Sequence, residues 1–127
     1  MNDARTILIV EDDEAVARVF ERSVNTAGYT AVVAMTAEAA LRQLDERRVD
    51  VVVMDLRMPF VDGFGLLYRL RSREVHQHTP VIIVTGDTTL TDEQLQEIAG
   101  LAATVRYKPI DSRELLGEIA RLLSREP

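Results

Sequence analysis

Near its amino end the sequence reads Ile7-Leu8-Ile9-Val10-Glu11-Asp12-Asp13, four apolar residues followed directly by three carboxylates. Two later runs, Val51 to Met54 and Val81 to Val84, are equally short and equally apolar. Continuous rather than alternating apolar runs are typical of strands buried on both faces, as in a parallel sheet covered by helices. Tyr29 to Ala34 and the weaker segment Ala103 to Tyr107 are two further candidate strands. The sequence therefore predicts a buried sheet of five strands.

Between these runs the hydrophobic period changes to that of a helix. Four segments repeat apolar residues three or four positions apart, which predicts one core-facing stripe for each helix. The stripes are Val16, Val19, Phe20 and Val24; Ala37, Ala40, Leu41 and Leu44; Leu95, Ile98, Ala99 and Ala102; and Leu115, Ile119, Leu122 and Leu123. A fifth, less periodic helix is expected at about residues 64–73, where Leu66, Leu67 and Leu70 define a face.

Capping signals support these helices. Thr36, the pair Thr91 and Gln94, and the pair Asp111 and Glu114 precede apolar stripes at the spacing of N-caps or capping boxes. Gly28 and Gly100 are stop signals. Asp13 is interpreted as the N-cap of the first helix rather than as a metal ligand.

The alternation of strands and helices with short connections predicts an α/β fold: a flavodoxin-like, doubly wound, five-stranded parallel sheet of order 2-1-3-4-5 with five helices. In such a sheet, ligands bind outside the carboxyl ends of the strands, between the first and third strands. No repeat or linker divides the chain, so we expect one domain over residues 1–127, structured from about residue 6 to residue 124.

Composition narrows the class of function. A chain of 127 residues with 46% hydrophobic residues can form the core of one domain. The net charge of −6, from 21 acidic and 15 basic residues, argues against a nucleic-acid-binding surface. Because there is no cysteine, disulfides and thiolate metal sites are excluded. No apolar run approaches the roughly 18 residues of a membrane span, so a cytoplasmic protein without a membrane partner is expected.

Polar residues follow directly on the predicted strands. Glu11, Asp12 and Asp13 follow the first strand, Asp55 the third, Thr85 the fourth and Lys108 the fifth. Carboxylates crowded at one sheet edge repel one another unless a cation compensates them, and oxygen ligands without histidine or cysteine indicate Mg²⁺. A carboxylate can also attack phosphorus and form an acyl phosphate, and the central Asp55 is best placed to do so. Lys108 and Thr85 could then stabilise the transferred group.

Four blocks of the sequence, taken in order, resemble the signature blocks of the response-regulator receiver domains of two-component signalling, including the chemotaxis regulators. The blocks are Ile7-Leu8-Ile9-Val10-Glu11-Asp12-Asp13; Met54-Asp55-Leu56-Arg57-Met58-Pro59 with Asp62-Gly63; Val84-Thr85-Gly86; and Lys108-Pro109. Each block alone is weak evidence, whereas four blocks at predicted strand ends are specific. The resemblance covers nearly the whole chain.

The resemblance implies a role for each side chain at the sheet edge. Asp55 would accept a phosphoryl group, Thr85 would hydrogen-bond it, and Lys108 would form an ion pair with it. Gly86 would keep the phosphoryl pocket open. The Lys108-Pro109 bond would be cis.

The resemblance also implies the ligands of a magnesium ion. Asp12 and Asp55 would bind Mg²⁺ directly, and Glu11 would act mainly through a metal-bound water. The backbone carbonyl of Arg57 would be the remaining protein ligand. Arg57 and Asp87, two residues beyond Asp55 and Thr85, are expected to flank the phosphoryl site and to form an exposed ion pair across its mouth.

For the protein's partners, the resemblance implies a sensor histidine kinase or phosphotransfer protein as donor. An effector domain or a downstream protein would receive the signal, without direct contact to nucleic acid. The domain would not be an enzyme beyond its own phosphorylation and dephosphorylation. Whether it acts alone or belongs to a longer regulator is left open by the sequence.

Two other functions fit the sequence less well. A small-molecule phosphatase with an aspartyl nucleophile would need a second acid two residues after Asp55, where Arg57 stands. A receiver that works without phosphate would have lost site residues, but Glu11, Asp12, Asp55, Thr85 and Lys108 are all present.

In one respect the sequence departs from the family pattern. Receivers commonly have an aromatic residue three positions before the lysine of the fifth strand, and here that position is Val105. Tyr107, on the same strand face, either takes over part of that switching role or only covers the sheet edge. His76 and His78, in a polar connection, are expected to face solvent and are assigned no ligand or phosphorylation role.

Overall fold

The structure is a computed structural model that describes residues 4–58 and 61–124. Pro59 and the tail beyond residue 124 lie outside the described residues. The strands of the main sheet are β1 (Thr6–Val10), β2 (Thr30–Ala34), β3 (Val51–Met54), β4 (Val81–Thr85) and β5 (Ala103–Tyr107). The helices are α1 (Glu14–Thr26), α2 (Ala37–Glu46), α3 (Gly63–Arg71), α4 (Asp92–Gly100) and α5 (Ser112–Ser124). A small hairpin, Arg57–Met58 with Val61–Asp62, and a 3-10 turn, Glu74–His76, complete the element order.

The five strands form one parallel sheet of order β2-β1-β3-β4-β5. This is the flavodoxin-like arrangement predicted from the alternating elements. The chain leaves β1 in one direction to reach β2 and continues on the other side with β3. The crevice at the carboxyl ends of β1 and β3 is therefore the expected ligand position.

Helices cover both faces of the sheet. Leu8 and Val10 point into the layer formed with α2, α3 and α4, whereas Ile7 and Ile9 point into the layer formed with α1 and α5. All four side chains are buried. Because each central strand is buried on both faces, its sequence is continuously apolar, and every fully buried Leu or Ile contributes about 1.5–3 kcal/mol.

Most of the predicted caps are confirmed. Asp13 Oδ1 accepts hydrogen bonds from the backbone N–H groups of Ala15 and Val16 at 3.0 and 3.2 Å. Thr36 caps α2, and Thr91 with Gln94 forms the predicted capping box of α4. None of the helices in the described part of the chain is long and apolar enough to cross a membrane.

Two of the predicted helix stripes were partly wrong. Val19 is 55% exposed, and the buried stripe of α1 is Ala17, Phe20 and Val24, because these residues lie three and four positions apart on one side. In α4 only Ile98 is buried, while Ala99 and Ala102 are exposed. The small alanines added to the apparent period without adding buried surface.

The connections also differ from expectation in three details. His76 was predicted to face solvent but is 2% exposed, because the 3-10 turn directs its ring to the Leu44 carbonyl and the Thr79 hydroxyl. His78 is exposed, as predicted. α3 begins and ends one to two residues earlier than expected. α4 ends at Gly100, but the residue with positive φ there is Ala102, at 57°.

Candidate functional site

Parallel register brings the predicted site residues to one edge of the sheet. Val10 pairs with Met54, so the residues that follow them, Glu11 and Asp55, lie side by side. The Asp55 backbone N–H donates to the Val10 carbonyl at 3.0 Å, which continues the ladder by one residue. On the other side of Asp55, β4 ends at Thr85. The short apolar strands thus place these polar groups at their carboxyl ends.

Lys108 joins the two central carboxylates. Its Nζ lies 2.7 Å from Glu11 Oε1 and 3.0 Å from Asp55 Oδ2. Glu11 and Asp55 are 2% and 7% exposed, so their charges are largely removed from water. Buried carboxylates are costly unless a cation and hydrogen bonds compensate them. Lys108, the only lysine in the chain, supplies that cation.

The pKa values of Glu11 and Lys108 depend on both burial and ion pairing. Burial raises the pKa of the Glu11 carboxyl, and the Lys108 ammonium and the Asp13 backbone N–H only partly offset it. Burial lowers the pKa of Lys108, but its hydrogen bonds to Glu11 and Asp55 outweigh that effect and leave the pKa raised. Lys108 is therefore charged at neutral pH, while the ionised form of Glu11 is disfavoured by its surroundings.

The acidic cluster has the composition of a site for a hard cation. Carboxylate oxygens of Glu11, Asp12 and Asp55 lie within 4.8 Å of one another. Asp13 is occupied in capping α1 and stays outside the cluster, as predicted. Three oxygen donors, without histidine or cysteine, fit Mg²⁺ better than zinc. The backbone of Arg57 borders this cluster, and its N–H donates a hydrogen bond to Asp55 Oδ1 at 3.1 Å.

Thr85 is fully buried and is held by its own loop. Its Oγ1 accepts a hydrogen bond from the Asp87 backbone N–H at 3.1 Å, and its carbonyl accepts one from the Lys108 N–H at 2.8 Å. A Cβ at Gly86 would meet no atom within 4 Å, so the space beside Thr85 is open. Thr85 and Lys108 are thus connected directly through the backbone. The Lys108-Pro109 bond is cis, as expected.

The predicted pair of Arg57 and Asp87 is present. Arg57 Nε and Nη2 lie 2.7 and 2.5 Å from Asp87 Oδ2. Asp87 Oδ1 accepts two further hydrogen bonds, from the N–H and hydroxyl of Thr89 at 2.9 and 2.5 Å. Hydrogen bonds from Thr89, and then from Arg57, lower the pKa of Asp87 to about 2. No pattern in the sequence indicates the contribution from Thr89, because it depends on the conformation of the loop.

Gly63 is required for a steric reason that no sequence pattern reveals. A Cβ at this position would lie 2.5 Å from the Leu56 carbonyl oxygen and 2.8 Å from the Leu56 Cα. Such a distance is shorter than any van der Waals contact, so another residue would displace the backbone directly after Asp55. In the sequence, the Asp62-Gly63 pair stands out only as part of one of the signature blocks. Gly63 thus sets the path of the loop that carries Asp55.

Comparisons with known proteins agree with this geometry. The model of the response regulator receiver domain family matches residues 7–120. The response regulator ArlR of Staphylococcus epidermidis is 32% identical over 124 residues, which are 95% of this chain and 53% of that protein. The sensory transduction protein RegX3 of Mycobacterium tuberculosis is 32% identical over 123 residues, which are 94% of this chain and 51% of that protein. The chain therefore spans about half the length of these relatives.

Solved structures give the same result. The chemotaxis response regulator CheY4 of Vibrio cholerae superimposes with a TM-score of 0.86 at 26% identity, over 95% of this chain and 100% of that one. A CheY-like response regulator receiver domain protein of Methanospirillum hungatei gives 0.87 at 25% identity, over 96% and 95% of the two chains. Sequence blocks, sheet order and family match agree, and the chain belongs to the response regulator receiver domains of two-component signalling.

Proposed function

We propose that this domain accepts a phosphoryl group from a phosphohistidine donor onto Asp55 and transmits the change to a protein-binding surface. The observation that carries the proposal is the position of Asp55, whose carboxylate lies beside Lys108 and within a cluster of three acidic residues. Lys108 alone does not compensate three neighbouring carboxylates, so this edge of the sheet keeps the excess negative charge that suits a cation-assisted acceptor site. Response regulators interact with histidine kinases and effector domains, and this chain is one of their receiver domains.

Asp55 is the nucleophile. Its carboxylate oxygen attacks phosphorus, the bond from phosphorus to the donor imidazole nitrogen breaks, and the imidazole keeps the electron pair and takes up a proton. Lys108 Nζ, 3.0 Å from Asp55 Oδ2, stabilises the negative charge on the transferred oxygens. Thr85 donates its hydroxyl proton to one of these oxygens. In dephosphorylation, water attacks phosphorus, the bond to Asp55 breaks, and inorganic phosphate and the free carboxylate result.

Receiver domains bind Mg²⁺ at an acidic pocket, and the oxygen cluster of this chain suits that ion. Asp12 and Asp55 would hold it directly, Glu11 mainly through water, and Arg57 through its backbone carbonyl. When bound, the ion neutralises the carboxylates and the incoming phosphoryl group. Lys108 already compensates two of these carboxylates, so the protein supplies one positive charge of its own.

The signal would leave the site through Thr85. Its hydroxyl now accepts a hydrogen bond from Asp87, and a turn towards the phosphoryl group pulls the loop that leads into α4. We propose a single receiver domain over residues 1–127, structured from about residue 6 to residue 124 and located in the cytoplasm. Its output would be an effector domain or a partner protein. Some matched relatives are transcriptional regulatory proteins, which supports an effector domain.

Acetyl phosphate with Mg²⁺ tests the acceptor. Intact mass spectrometry should show one phosphoryl adduct on the protein, removable by hydroxylamine, as an acyl phosphate requires. Asp55→Asn should abolish it, and excess EDTA should suppress it. Asp45→Asn, which removes the same group from the surface of α2, is the matched control and should label normally. Unchanged labelling in Asp55→Asn, or full labelling in EDTA, would contradict the proposal.

A further inference from the structure

Among the helices of the described chain, α4 has the least hydrophobic attachment. It buries one apolar side chain, Ile98, whereas α1, α2 and α3 each bury three, and α5 buries two together with Glu118. Its capping box, Thr91 with Gln94, lies within the helix and does not fasten it to the rest of the domain. Because burial of apolar surface supplies most of the packing energy, the position of α4 depends strongly on its polar contacts.

Those polar contacts come from α3. The Tyr68 hydroxyl donates to Glu97 Oε2 at 2.7 Å. One turn later, Arg71 donates to the carbonyls of Leu101 and Ala102, at 2.8 and 3.2 Å, directly after α4 ends. Residues three positions apart share one helix face, so Tyr68 and Arg71 act on α4 from the same side.

The two contacts differ in how firmly they are anchored. Arg71 also donates to the carbonyls of His76 and Thr79, at 2.9 and 2.6 Å, and so ties the carboxyl end of α4 to the body of the domain. Tyr68 is 48% exposed and makes a single bond to the exposed Glu97. Arg71 is therefore a fixed point, while the bond from Tyr68 can open without exposing any core.

The other end of α4 is connected to the site. Asp87, on the loop between β4 and α4, donates its N–H to Thr85 Oγ1 at 3.1 Å. In the proposed function Thr85 turns to a phosphoryl oxygen, which would break this bond, shift the loop and move α4 about the end that Arg71 holds. Glu97 lies between the loop end of α4 and the end held by Arg71, so a movement of α4 would displace it from Tyr68. A hydrogen bond weakens steeply when its distance and angle change, so the bond from Tyr68 would then be lost.

We propose that Tyr68 is a positioning residue for the phosphoryl site: its bond to Glu97 holds α4, and through it Thr85, in the arrangement of the unphosphorylated domain. The inference rests on the proposed acceptor function. Since the bond exists in one arrangement and is lost in the other, it opposes phosphoryl binding by its own free energy. Removal of the hydroxyl should therefore strengthen phosphoryl binding rather than weaken it.

The affinity for beryllofluoride, a phosphoryl mimic, measured with Mg²⁺ present, tests this role. Tyr68→Phe should bind roughly two- to tenfold more tightly than wild type, as expected for the loss of one opposing hydrogen bond. Tyr29→Phe is the matched control, because the Tyr29 side chain packs in the opposite layer with α1 and α5. Glu97→Ala should match Tyr68→Phe, and the double variant should add nothing further. Thermal unfolding checks that each variant is folded.

A second readout follows the bond itself. The hydrogen bond to Glu97 raises the pKa of Tyr68 above its ordinary value. NMR at neutral pH, where Mg²⁺ and the mimic are stable, follows the ring signals of Tyr68, which the Tyr68→Phe variant identifies. With beryllofluoride bound, these signals should move towards their positions in Glu97→Ala, in which the hydrogen bond is absent. A merely structural hydroxyl would leave them unchanged.

The outcomes separate the two proposals. If wild type binds beryllofluoride, but Tyr68→Phe binds it equally well or the Tyr68 ring signals do not move, the positioning role is wrong and the acceptor function stands. If wild type does not bind the mimic at all, the acceptor function fails, and the role of Tyr68 fails with it.

Discussion

The Lys108 ammonium lies 3.0 Å from Asp55 Oδ2, on the side away from the Arg57 backbone N–H that holds Asp55 Oδ1. Both acceptor oxygens of Asp55 thus have a donor before any phosphoryl group arrives. Phosphorylation bonds one of these oxygens to phosphorus. The Lys108 ammonium can then donate to the oxygens of the phosphoryl group. We expect Lys108 to act in the transfer rather than only in folding.

Lys108→Met should lower the initial rate of Asp55 labelling by acetyl phosphate by about tenfold or more, because a charged donor at the transferred group is lost. Lys108→Arg keeps the charge but replaces a compact ammonium with a planar fork, so it should restore the rate only in part. The measurement is the time course of the adduct by mass spectrometry at saturating Mg²⁺. Normal rates in both variants would exclude a role for Lys108 in the transfer.

Glu11→Gln should stabilise the fold at neutral pH by about 0.5–2 kcal/mol, the range common for relief of a strained functional site. Burial raises the folded-state pKa of Glu11 above 4.5, so the ionised carboxylate weakens the fold above that raised pKa. Glutamine can still accept from Lys108. As the pH falls through the raised pKa towards 4.5, wild type gains its proton and the advantage of the variant should shrink.

Urea unfolding in EDTA, at about pH 7.5 and about pH 5, measures this difference. Glu46→Gln, at an exposed position on α2, is the control and should show little change at either pH. A Glu11→Gln variant that is less stable than wild type at neutral pH would show that the Lys108 pair, rather than burial, dominates this position.

Much of the site could be predicted from the sequence because parallel strands end at a common edge. Glu11 and Asp55 follow short apolar runs, and Lys108 follows the weaker fifth strand, so the strand order alone predicts that they meet. Contacts that depend on the conformation of a loop are not marked by any comparable pattern in the sequence. The closeness of Gly63 to Leu56 and the bond from Thr89 to Asp87 arise from turns without periodicity.

Burial in helices and turns was predicted less well than burial in strands. Val19 was assigned to the core because valine is apolar, yet the smaller Ala17 occupies the buried side of α1. His76 was assigned to solvent because its neighbours are polar, yet two hydrogen bonds satisfy its ring in the interior. In both cases the side chain's direction, which sequence composition does not determine, decided its burial.

Mg²⁺ should raise the thermal unfolding temperature of wild type by binding only the folded state, with a stabilisation of about 2.7 kcal/mol at one hundred times the dissociation constant. Asp12→Asn should lose most of this shift, because a carboxylate ligand is removed. Asp13→Asn should keep it, since asparagine caps a helix as well as aspartate does. Equal magnesium shifts in the two variants would remove Asp12 from the ligand set.

Arg57→Ala and Asp87→Ala should each shorten the lifetime of the phosphorylated domain, by roughly two- to tenfold, if their ion pair restricts the attacking water. Because Thr89 and then Arg57 hold the pKa of Asp87 at about 2, the pair stays charged throughout the neutral range. The effect should therefore not vary with pH there. Loss of the adduct after rapid removal of donor gives the rate.

Arg18→Ala is the control for this pair, because it breaks an exposed ion pair, with Glu14, that lies within helix α1. It should dephosphorylate like wild type. If Arg57→Ala and Asp87→Ala also match wild type within error, the pair does not control access of water.

Phosphorylation should change the amide environments from Gly86 to Tyr107 more than those of α1 and α2. Thr85 pairs with Tyr107 in the register of β4 and β5, so a movement of Thr85 is passed directly to β5. Val105 is β-branched and partly buried, with little freedom to rotate, whereas Tyr107 is 44% exposed. Amide chemical shifts measured by NMR with and without beryllofluoride test this expectation. The same comparison in Tyr107→Leu tests whether the tyrosine ring transmits the change from Thr85. Shifts confined to the loops that touch Asp55 would mean that the domain does not signal through α4, β5 and α5.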